Sequence, residues 1–180
     1  MVIASSTLDR LAALLAYPGE GYFEEAELCR QALAETHPEA ARHLAGFTEA
    51  VRGLTTEKLQ ELFTRTFDLN PVCALEVGWQ LYGDEYKRGE FLVRMRQTLS
   101  RYDLPPSVEL PYHLTRVLQL LARLAPEEAE PFARHFVAPA VAKMLAGLEG
   151  KGNPFEGVLR AISNVVLDRS ADSQQEVQHE

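Results

Sequence analysis

Residues 70–84 read NPVCALEVGWQLYGD, and this stretch decides the fold class. Asn70 and Pro71 are typical of a helix start, because Asn caps a first turn and proline fits the first helical position. The residues from there to Tyr82 are apolar on nearly every side, so this helix must be surrounded by other helices. Gly78 costs about 1 kcal/mol relative to alanine inside a helix, which predicts a close contact with a neighbouring helix. The stretch therefore predicts the buried centre of an all-α protein.

Amphipathic patterns of helical period lie on both sides of this stretch, and no alternating pattern typical of a strand is present. Ser6 and Asp9 form a capping box at the first helix. Pro131 and Pro139 interrupt a later helical segment and predict a turn or a kink there. Together the patterns predict a single compact domain of about eight or nine helices over residues 1–167.

The last helix of this domain begins with Asn153-Pro154-Phe155-Glu156, a capping box with proline at the first helical position. From Asp168 onward the sequence is polar and acidic and has few residues to bury. Such a composition does not offset the entropy lost when a chain is ordered. Residues 168–180 are therefore predicted to form a disordered tail.

Another helix is predicted directly after the central stretch, from about Asp84 to Arg101, with Asp84 as its cap. Lys87, Arg94 and Arg101 are seven residues apart on its outer face. We interpret them as a solvated basic stripe rather than a ligand site. The Pro105-Pro106 break that follows is a candidate hinge, so the protein is predicted to be a monomer or a domain-swapped dimer.

The composition limits the classes of partner. The formal net charge is −8 at pH 7, which argues against sequence-independent binding of nucleic acid, because that mode depends on clustered Lys and Arg. No apolar run approaches the roughly 20 residues that span a bilayer, and the N-terminus lacks the pattern of a signal peptide. Cys29 and Cys73 are the only cysteines and favour a reducing compartment. We therefore expect a cytoplasmic protein that neither binds nucleic acid nor inserts into membranes.

No catalytic motif is evident. Residues 147–152 read GLEGKG, but this loop lacks the four-residue gap, the Ser or Thr after Lys and the preceding strand of a phosphate-binding loop. The five histidines include no His-x-x-x-His pair, and no local signature marks either cysteine as a nucleophile. Cys73 lies in the most apolar helix and is interpreted as a packing residue. We expect a protein that is not an enzyme and that holds no metal and no permanently bound cofactor.

Glu109 and His113 are four residues apart and would share one face of a helix. Such a pair suits either a structural hydrogen bond or part of a polar recognition site. On spacing alone the structural role is favoured, and the recognition role stays open.

Several short motifs follow one another in a characteristic order. The motifs are Tyr17-Pro18, Phe67-Asp68, Trp79-Gln80-Leu81-Tyr82-Gly83-Asp84, Arg88-Gly89, Glu109-Leu110-Pro111 with His113-Leu114, and Asn153-Pro154-Phe155. In this order and spacing the chain resembles the nitrate reductase assembly chaperones of the NarJ type, within the wider TorD/DmsD-like family of redox enzyme maturation proteins. The resemblance covers roughly residues 8–167.

The resemblance implies an all-helical, TorD-like cytoplasmic chaperone without enzyme activity. Its partner would be the catalytic subunit of a molybdenum oxidoreductase, with nitrate reductase as the first choice, recognised through that subunit's N-terminal peptide. The client carries the bis-molybdopterin guanine dinucleotide cofactor, and binding would assist cofactor insertion and complex assembly. The positions implied to bind the client peptide are Trp79, Tyr82, Asp84, Arg88, Glu109, Leu110, Pro111, Tyr112 and His113.

Tyr112 departs from the family pattern, in which many members have Asp directly before the histidine. Loss of that carboxylate is expected to weaken a preference for a basic client peptide, or to shift it towards an aromatic or apolar contact. Chaperones of the selenate, chlorate, dimethyl sulfide and ethylbenzene enzymes have the same build, so those enzymes are alternative clients.

Three alternatives stay open. In the first, Asp84 only caps a helix, and Arg88 and Glu109 form an internal ion pair that holds two helices in register. In the second, the protein is a small helical enzyme or nucleotide hydrolase, although the sequence shows neither the phosphate site nor the metal cluster that such an enzyme needs. In the third, the protein is a helical DNA-binding regulator, although its N-terminal helix is nearly uncharged and its tail is acidic.

Overall fold

A computed structural model of the chain describes the backbone of residues 6–176 and the side chains of residues 6–168. Helices form one compact domain, and no strand occurs within the described part of the chain. Since α8 and α9 continue into each other through a π turn at Ala133–Val137, the described residues contain nine separate helices besides one short 3-10 turn, as predicted. The helices are α1 (Thr7–Ala13), α2 (Tyr22–Leu33), α3 (Pro38–Val51), α4 (Thr56–Phe63), α5 (Val77–Tyr82), α6 (Tyr86–Leu99), α7 (Leu114–Leu121), α8 (Pro126–Phe132), α9 (Ala138–Leu148) and α10 (Phe155–Glu176).

The helix starts predicted at the two ends of the domain are confirmed. At α1 the Ser6 Oγ accepts the Asp9 backbone N–H at 3.1 Å, while the Ser6 hydroxyl donates to the Asp9 carboxylate at 2.9 Å. At α10 the Asn153 Oδ1 accepts the Phe155 N–H at 2.9 Å. Each cap satisfies a donor that the helix itself leaves unpaired, which fixes where the helix begins.

The core lies where α10 packs against α3 and α9, with α2 on the far side of α3. Four phenylalanines meet in it. The Phe155 ring centroid is 5.2 Å from that of Phe47, 5.6 Å from Phe63 and 5.1 Å from Phe67, which is the range of favourable aromatic pairs. The buried end of α4 is thereby held against the start of α10.

The central stretch is not one continuous helix, which corrects the prediction. A 3-10 turn spans Pro71–Cys73, residues 74–76 are extended, and α5 starts only at Val77. The Gln80 side-chain amide donates to the Val72 carbonyl at 3.0 Å and to the Ala74 carbonyl at 2.9 Å. These bonds replace the N–H donors that a helix would supply, so the break costs no unsatisfied carbonyl at either position.

The extended residues form an isolated antiparallel bridge between Glu76 and His113. The Val77 N–H donates to the Tyr112 carbonyl at 2.9 Å, and the Leu114 N–H donates to the Leu75 carbonyl at 2.7 Å. This bridge ties the segment before α5 to the segment before α7. It brings together two parts of the chain that are far apart in sequence.

Gly78 does make a close contact, but not with a helix. A Cβ atom there would lie 2.7 Å from Cδ1 of Tyr112, well inside van der Waals distance. The phenol ring therefore occupies the space that the missing side chain leaves.

Two predicted helix starts are also corrected. Helix α6 begins at Tyr86, and Asp84 is not its cap. Glu109 does not share a helix with His113, because α7 begins after them at Leu114. The two residues lie in the connection that precedes this helix.

Among the described residues, no helix is long and apolar enough to cross a lipid bilayer.

The predictions for the last third of the chain have mixed outcomes. The interruption expected at Pro131 and Pro139 is confirmed as the π turn, in which the Ala138 N–H donates to the Ala133 carbonyl. Helix α10 runs to Glu176, where a disordered tail was expected from residue 168 onward. Extending a formed helix costs far less than starting one, so burial is not required for each added residue. The rest of the predicted tail, residues 177–180, lies outside the described residues.

Candidate functional site

A surface cleft of about 400 Å³ lies where four segments of the chain meet. These segments are the end of the π turn that continues α4 over Thr64–Asp68, the 3-10 and extended residues, α5, and the connection before α7. The cleft combines carboxylates, an imidazole and apolar surface. Its lining residues are Phe67, Asp68, Pro71, Ala74, Leu75, Glu76, Trp79, Glu109 and His113.

The π turn places Asp68 at the mouth of this cleft. Its shape is fixed from within, because the Thr66 hydroxyl donates to the Leu62 carbonyl at 2.7 Å and accepts from the Asn153 side-chain amide at 2.7 Å. Phe67 is buried against Phe155, so the next residue is directed to the surface. The core thus determines the position of the Asp68 carboxylate.

Trp79 forms one wall of the cleft and is held on two sides. Its indole Nε1 donates to the Pro71 carbonyl at 3.0 Å. The Arg88 guanidinium lies 5.3 Å from the centre of the indole ring, and its Nη1 is 3.7 Å from the Asp84 carboxylate. A cation over an indole face stabilises the ring orientation, so Arg88 fixes this wall from behind.

The same indole separates the cleft from a second, more open depression of about 630 Å³. Val72 and Tyr82 line this depression, and the Lys143 ammonium donates to the Gln80 carbonyl at 2.7 Å at its edge. Val72 is 57% exposed and nearby Leu69 is 74% exposed, so apolar surface faces solvent beside the indole. Trp79 therefore lies between the cleft, which is lined by carboxylates, and the open depression, whose lining is mainly apolar.

His113 is the most constrained polar residue of the cleft. Its Nδ1 accepts the Thr115 backbone N–H at 3.3 Å and lies 2.8 Å from the Thr115 hydroxyl, so the imidazole caps α7. Its Nε2 is 3.8 Å from the Glu109 carboxylate. Burial lowers the pKa of His113 below its ordinary value, although the carboxylates of Glu109 and Asp68 act in the opposite direction. The neutral imidazole, with its proton on Nε2, is the form that this geometry favours.

The electrostatic character of the cleft is acidic. Asp68, Glu76 and Glu109 all line it, and no Lys or Arg side chain of residues 6–168 does. Carboxylates that face one cleft repel each other and attract a cation or a hydrogen-bond donor. A Lys or Arg side chain, or an N-terminal ammonium group, is the chemistry that complements this surface.

The structure brings together only part of the predicted site. Trp79, Glu109 and His113 line the cleft, and Tyr82 lines the adjoining depression. Asp84 and Arg88 reach the cleft only through the back of the indole ring. The expected alternative pairing of Arg88 with Glu109 is wrong, since each has another partner.

Leu110, Pro111 and Tyr112 line neither surface. Leu110 is partly exposed, and its carbonyl accepts the His113 N–H at 2.8 Å in a tight turn. Tyr112 is only 6% exposed and is stacked on Phe91, with ring centroids 6.2 Å apart. Its ring packs between α5 and α6, so the structure does not place it on the surface lined by Trp79 and His113, and its predicted contact with a client peptide stays a prediction.

Sequence reasoning missed Asp68 and Glu76 as members of the site. Asp68 belongs to a motif that carried the resemblance, and this was the available signal for it. Glu76 had no signal, because the sequence placed it inside a helix rather than in an extended link. Gln80 was also missed as the residue that holds this link.

Comparison with known proteins gives no assignment. No protein-family model matches the sequence, and no curated protein matches it either. Within the described residues, no group of three or more His, Cys, Asp or Glu side chains is arranged to hold a metal ion.

Proposed function

We propose that this chain is an assembly chaperone of the NarJ type. It binds the N-terminal segment of the catalytic subunit of a molybdenum oxidoreductase, with nitrate reductase as the leading candidate. In this role it keeps the subunit competent for cofactor insertion and complex assembly in the cytoplasm.

One observation carries the proposal. Three of the six motifs on which the resemblance rests are separated in sequence and yet line one cleft, with Phe67-Asp68 from the first, Trp79 from the second, and Glu109 and His113 from the third. Motifs that served only local helix capping would have no reason to converge on one surface. Their convergence supports a common binding role.

The chemistry of the cleft fits a peptide ligand. A helical or extended segment that docks on a protein needs apolar wall surface for affinity and a few polar groups to fix its direction. Trp79 with the exposed Val72 supplies the wall, and Asp68, Glu76 and Glu109 supply the acidic groups. A peptide with a basic residue next to apolar residues complements both the acidic cleft and the apolar surface beside Trp79.

Affinity capture of the chain from its native host, followed by mass spectrometry, tests the proposal directly. The catalytic subunit of a molybdenum oxidoreductase is the expected partner, and its identity also decides between nitrate reductase and the related clients. Failure to recover any such subunit under conditions in which the enzyme is made would contradict the proposal.

Variants of the cleft provide a quantitative test by calorimetry with a synthetic peptide of the client N-terminus. Trp79→Ala is expected to cost roughly 2 kcal/mol of binding free energy, as the loss of an aromatic anchor that is desolvated in a complex does. Glu109→Gln is expected to weaken binding about fivefold, because it removes one partly exposed charge. Glu90→Gln is the matched control, since that exposed carboxylate lies on α6 outside the cleft. Equal affinities of the Glu109 and Glu90 variants would show that the cleft does not bind the peptide.

A further inference from the structure

A separate cleft of about 440 Å³ lies between α6 and α8, away from the candidate site. Its apolar lining includes Met95 and Leu124, which are buried, and the half-buried rings of Phe132 and Phe136. The two rings are 5.3 Å apart between centroids. A partly open apolar floor of this size is large enough to accept side chains from a ligand or a partner.

The two walls of this cleft have opposite charge. Arg94 and Arg101 line it on the α6 side, and Glu127 and Glu128 line it on the α8 side. None of the four forms an ion pair among the described residues. The arginines that were expected to form a solvated stripe therefore border an apolar floor.

Of these four side chains, Arg94 is held by a neighbouring aromatic ring. The Arg94 guanidinium lies 5.4 Å from the centre of the Phe136 ring, which holds it at the rim. The π turn brings Phe136 to this position, and the His135 Nδ1 donates to the Pro131 carbonyl at 2.7 Å across that turn. The donor direction follows from chemistry, since a carbonyl oxygen only accepts.

The spacing of the arginines selects the conformation of an occupant. Arg94 lies on α6 and Arg101 lies in the turn that continues it, where the Arg101 N–H donates to the Thr98 carbonyl at 3.1 Å. Seven residues of helix rise about 10 Å along the axis, which is the approximate separation of the two arginines. A second helix presents two side chains seven residues apart at the same separation. A strand rises about 3.3 Å per residue, so side chains about 10 Å apart fall on opposite faces and cannot both contact one wall.

From this juxtaposition we infer that the α6–α8 cleft docks an amphipathic helix of a partner protein. The helix has apolar residues on its buried face, carboxylates seven residues apart on the edge facing Arg94 and Arg101, and Lys or Arg on the edge facing Glu127 and Glu128. This surface is distinct from the candidate peptide site and does not depend on the proposed function.

Two designed helical peptides with the same apolar face test the inference, measured by fluorescence anisotropy at low salt. The first has a glutamate edge and a lysine edge, and the second has lysine on both edges. The intact protein is expected to bind the first peptide roughly fivefold more tightly, from two exposed charge pairs, and increasing salt is expected to remove the difference. The double variant Arg94→Glu/Arg101→Glu, which makes both walls acidic, is expected to prefer the second peptide.

Arg96→Glu is the matched control, because Arg96 is an exposed arginine of the same helix that does not line the cleft. It should keep the preference of the intact protein. Circular dichroism of each variant shows that the fold is retained. No saturable binding of the first peptide, or a preference that the double variant does not reverse, overturns the inference. Saturable binding of 2-naphthoate with no binding of either peptide also overturns it, in favour of a site for small aromatic anions.

Discussion

His113 has two roles that involve different atoms of one ring. Nδ1 caps α7 through the Thr115 N–H, whereas Nε2 faces the Glu109 carboxylate in the cleft. Replacement by alanine therefore removes a helix cap as well as a recognition group, at a cost of about 1 kcal/mol of folding free energy. Asparagine keeps the capping function without the imidazole, so it separates the two roles.

Burial of His113 makes folding stability sensitive to pH. The pKa of His113 is lowered in the folded protein, so between its folded value and the ordinary value of 6.5 the unfolded chain binds a proton that the folded chain does not. The stabilisation is therefore complete above pH 6.5 and is lost as pH falls through the folded pKa. Denaturant unfolding of the intact protein and of His113→Asn should show the intact protein losing stability relative to the variant below that pH. A pH-independent difference would contradict the prediction.

The two cysteines are expected to be inert in the folded protein. Burial raises the pKa of Cys29 to about 12 and also raises the pKa of Cys73, so few thiolates exist at neutral pH. The Cys73 thiol also donates to the Met144 carbonyl at 3.4 Å. A chromogenic disulfide reagent should modify neither residue in the native state within minutes and both after unfolding in guanidinium. Rapid modification of one thiol per native chain would show that one cysteine is accessible.

At the scale of single elements, the break before α5 is the feature that the sequence did not reveal. The run from Val72 to Tyr82 has the apolar content of a buried helix, and nothing local distinguishes a bridge from a further helical turn. The decisive contacts are with residues before α7, such as the bond from the Val77 N–H to the Tyr112 carbonyl. Contacts of this range are not encoded in local periodicity, and they override local propensity.

The helix caps at Ser6 and Asn153, by contrast, were predictable. Ser6 and Asn153 act on backbone groups two or three residues away, so their effect is contained in a short stretch of sequence. The candidate site falls between these cases. Trp79, Glu109 and His113 were recognised from motifs, whereas Glu76 depended on the break.

Gly78 in α5 allows a direct test of packing. Gly78→Ala would gain about 1 kcal/mol of helix propensity, but its Cβ would lie 2.7 Å from the Tyr112 ring, which is itself packed on Phe91. Overpacking costs about 1 to 3 kcal/mol, so a net destabilisation of up to about 2 kcal/mol is expected in denaturant unfolding. Gly89→Ala in α6 is the matched control, since a methyl group added there would meet no atom within 4 Å and stability should rise slightly. An increase for both variants would contradict the described contact.

For the whole molecule, one continuous core connects the helices to the cleft. Phe67 packs in the aromatic cluster and is followed in sequence by Asp68 of the cleft. Tyr112 packs on Phe91 and is followed by His113 of the cleft. Among the described residues, no buried side-chain nitrogen or oxygen lacks a hydrogen-bond partner. The residues that line the cleft are therefore attached directly to core residues and do not form a separately folded unit.

This continuity predicts cooperative unfolding. Trp79 is the only tryptophan, so its fluorescence reports on the cleft, whereas circular dichroism reports on all the helices. The two signals are expected to change with the same denaturant midpoint and slope, as in a two-state transition. A fluorescence change at clearly lower denaturant would show that the cleft unfolds before the rest of the domain.

The contact between Gly78 and Tyr112 also has a consequence for natural variation. A large ring at position 112 favours glycine at position 78, because a Cβ there would lie 2.7 Å from Cδ1 of the ring. A homologue with a small or acidic residue at position 112 is released from that restriction. The two positions should therefore change together during evolution, and an aromatic residue at 112 should be inherited with glycine at 78 as a pair.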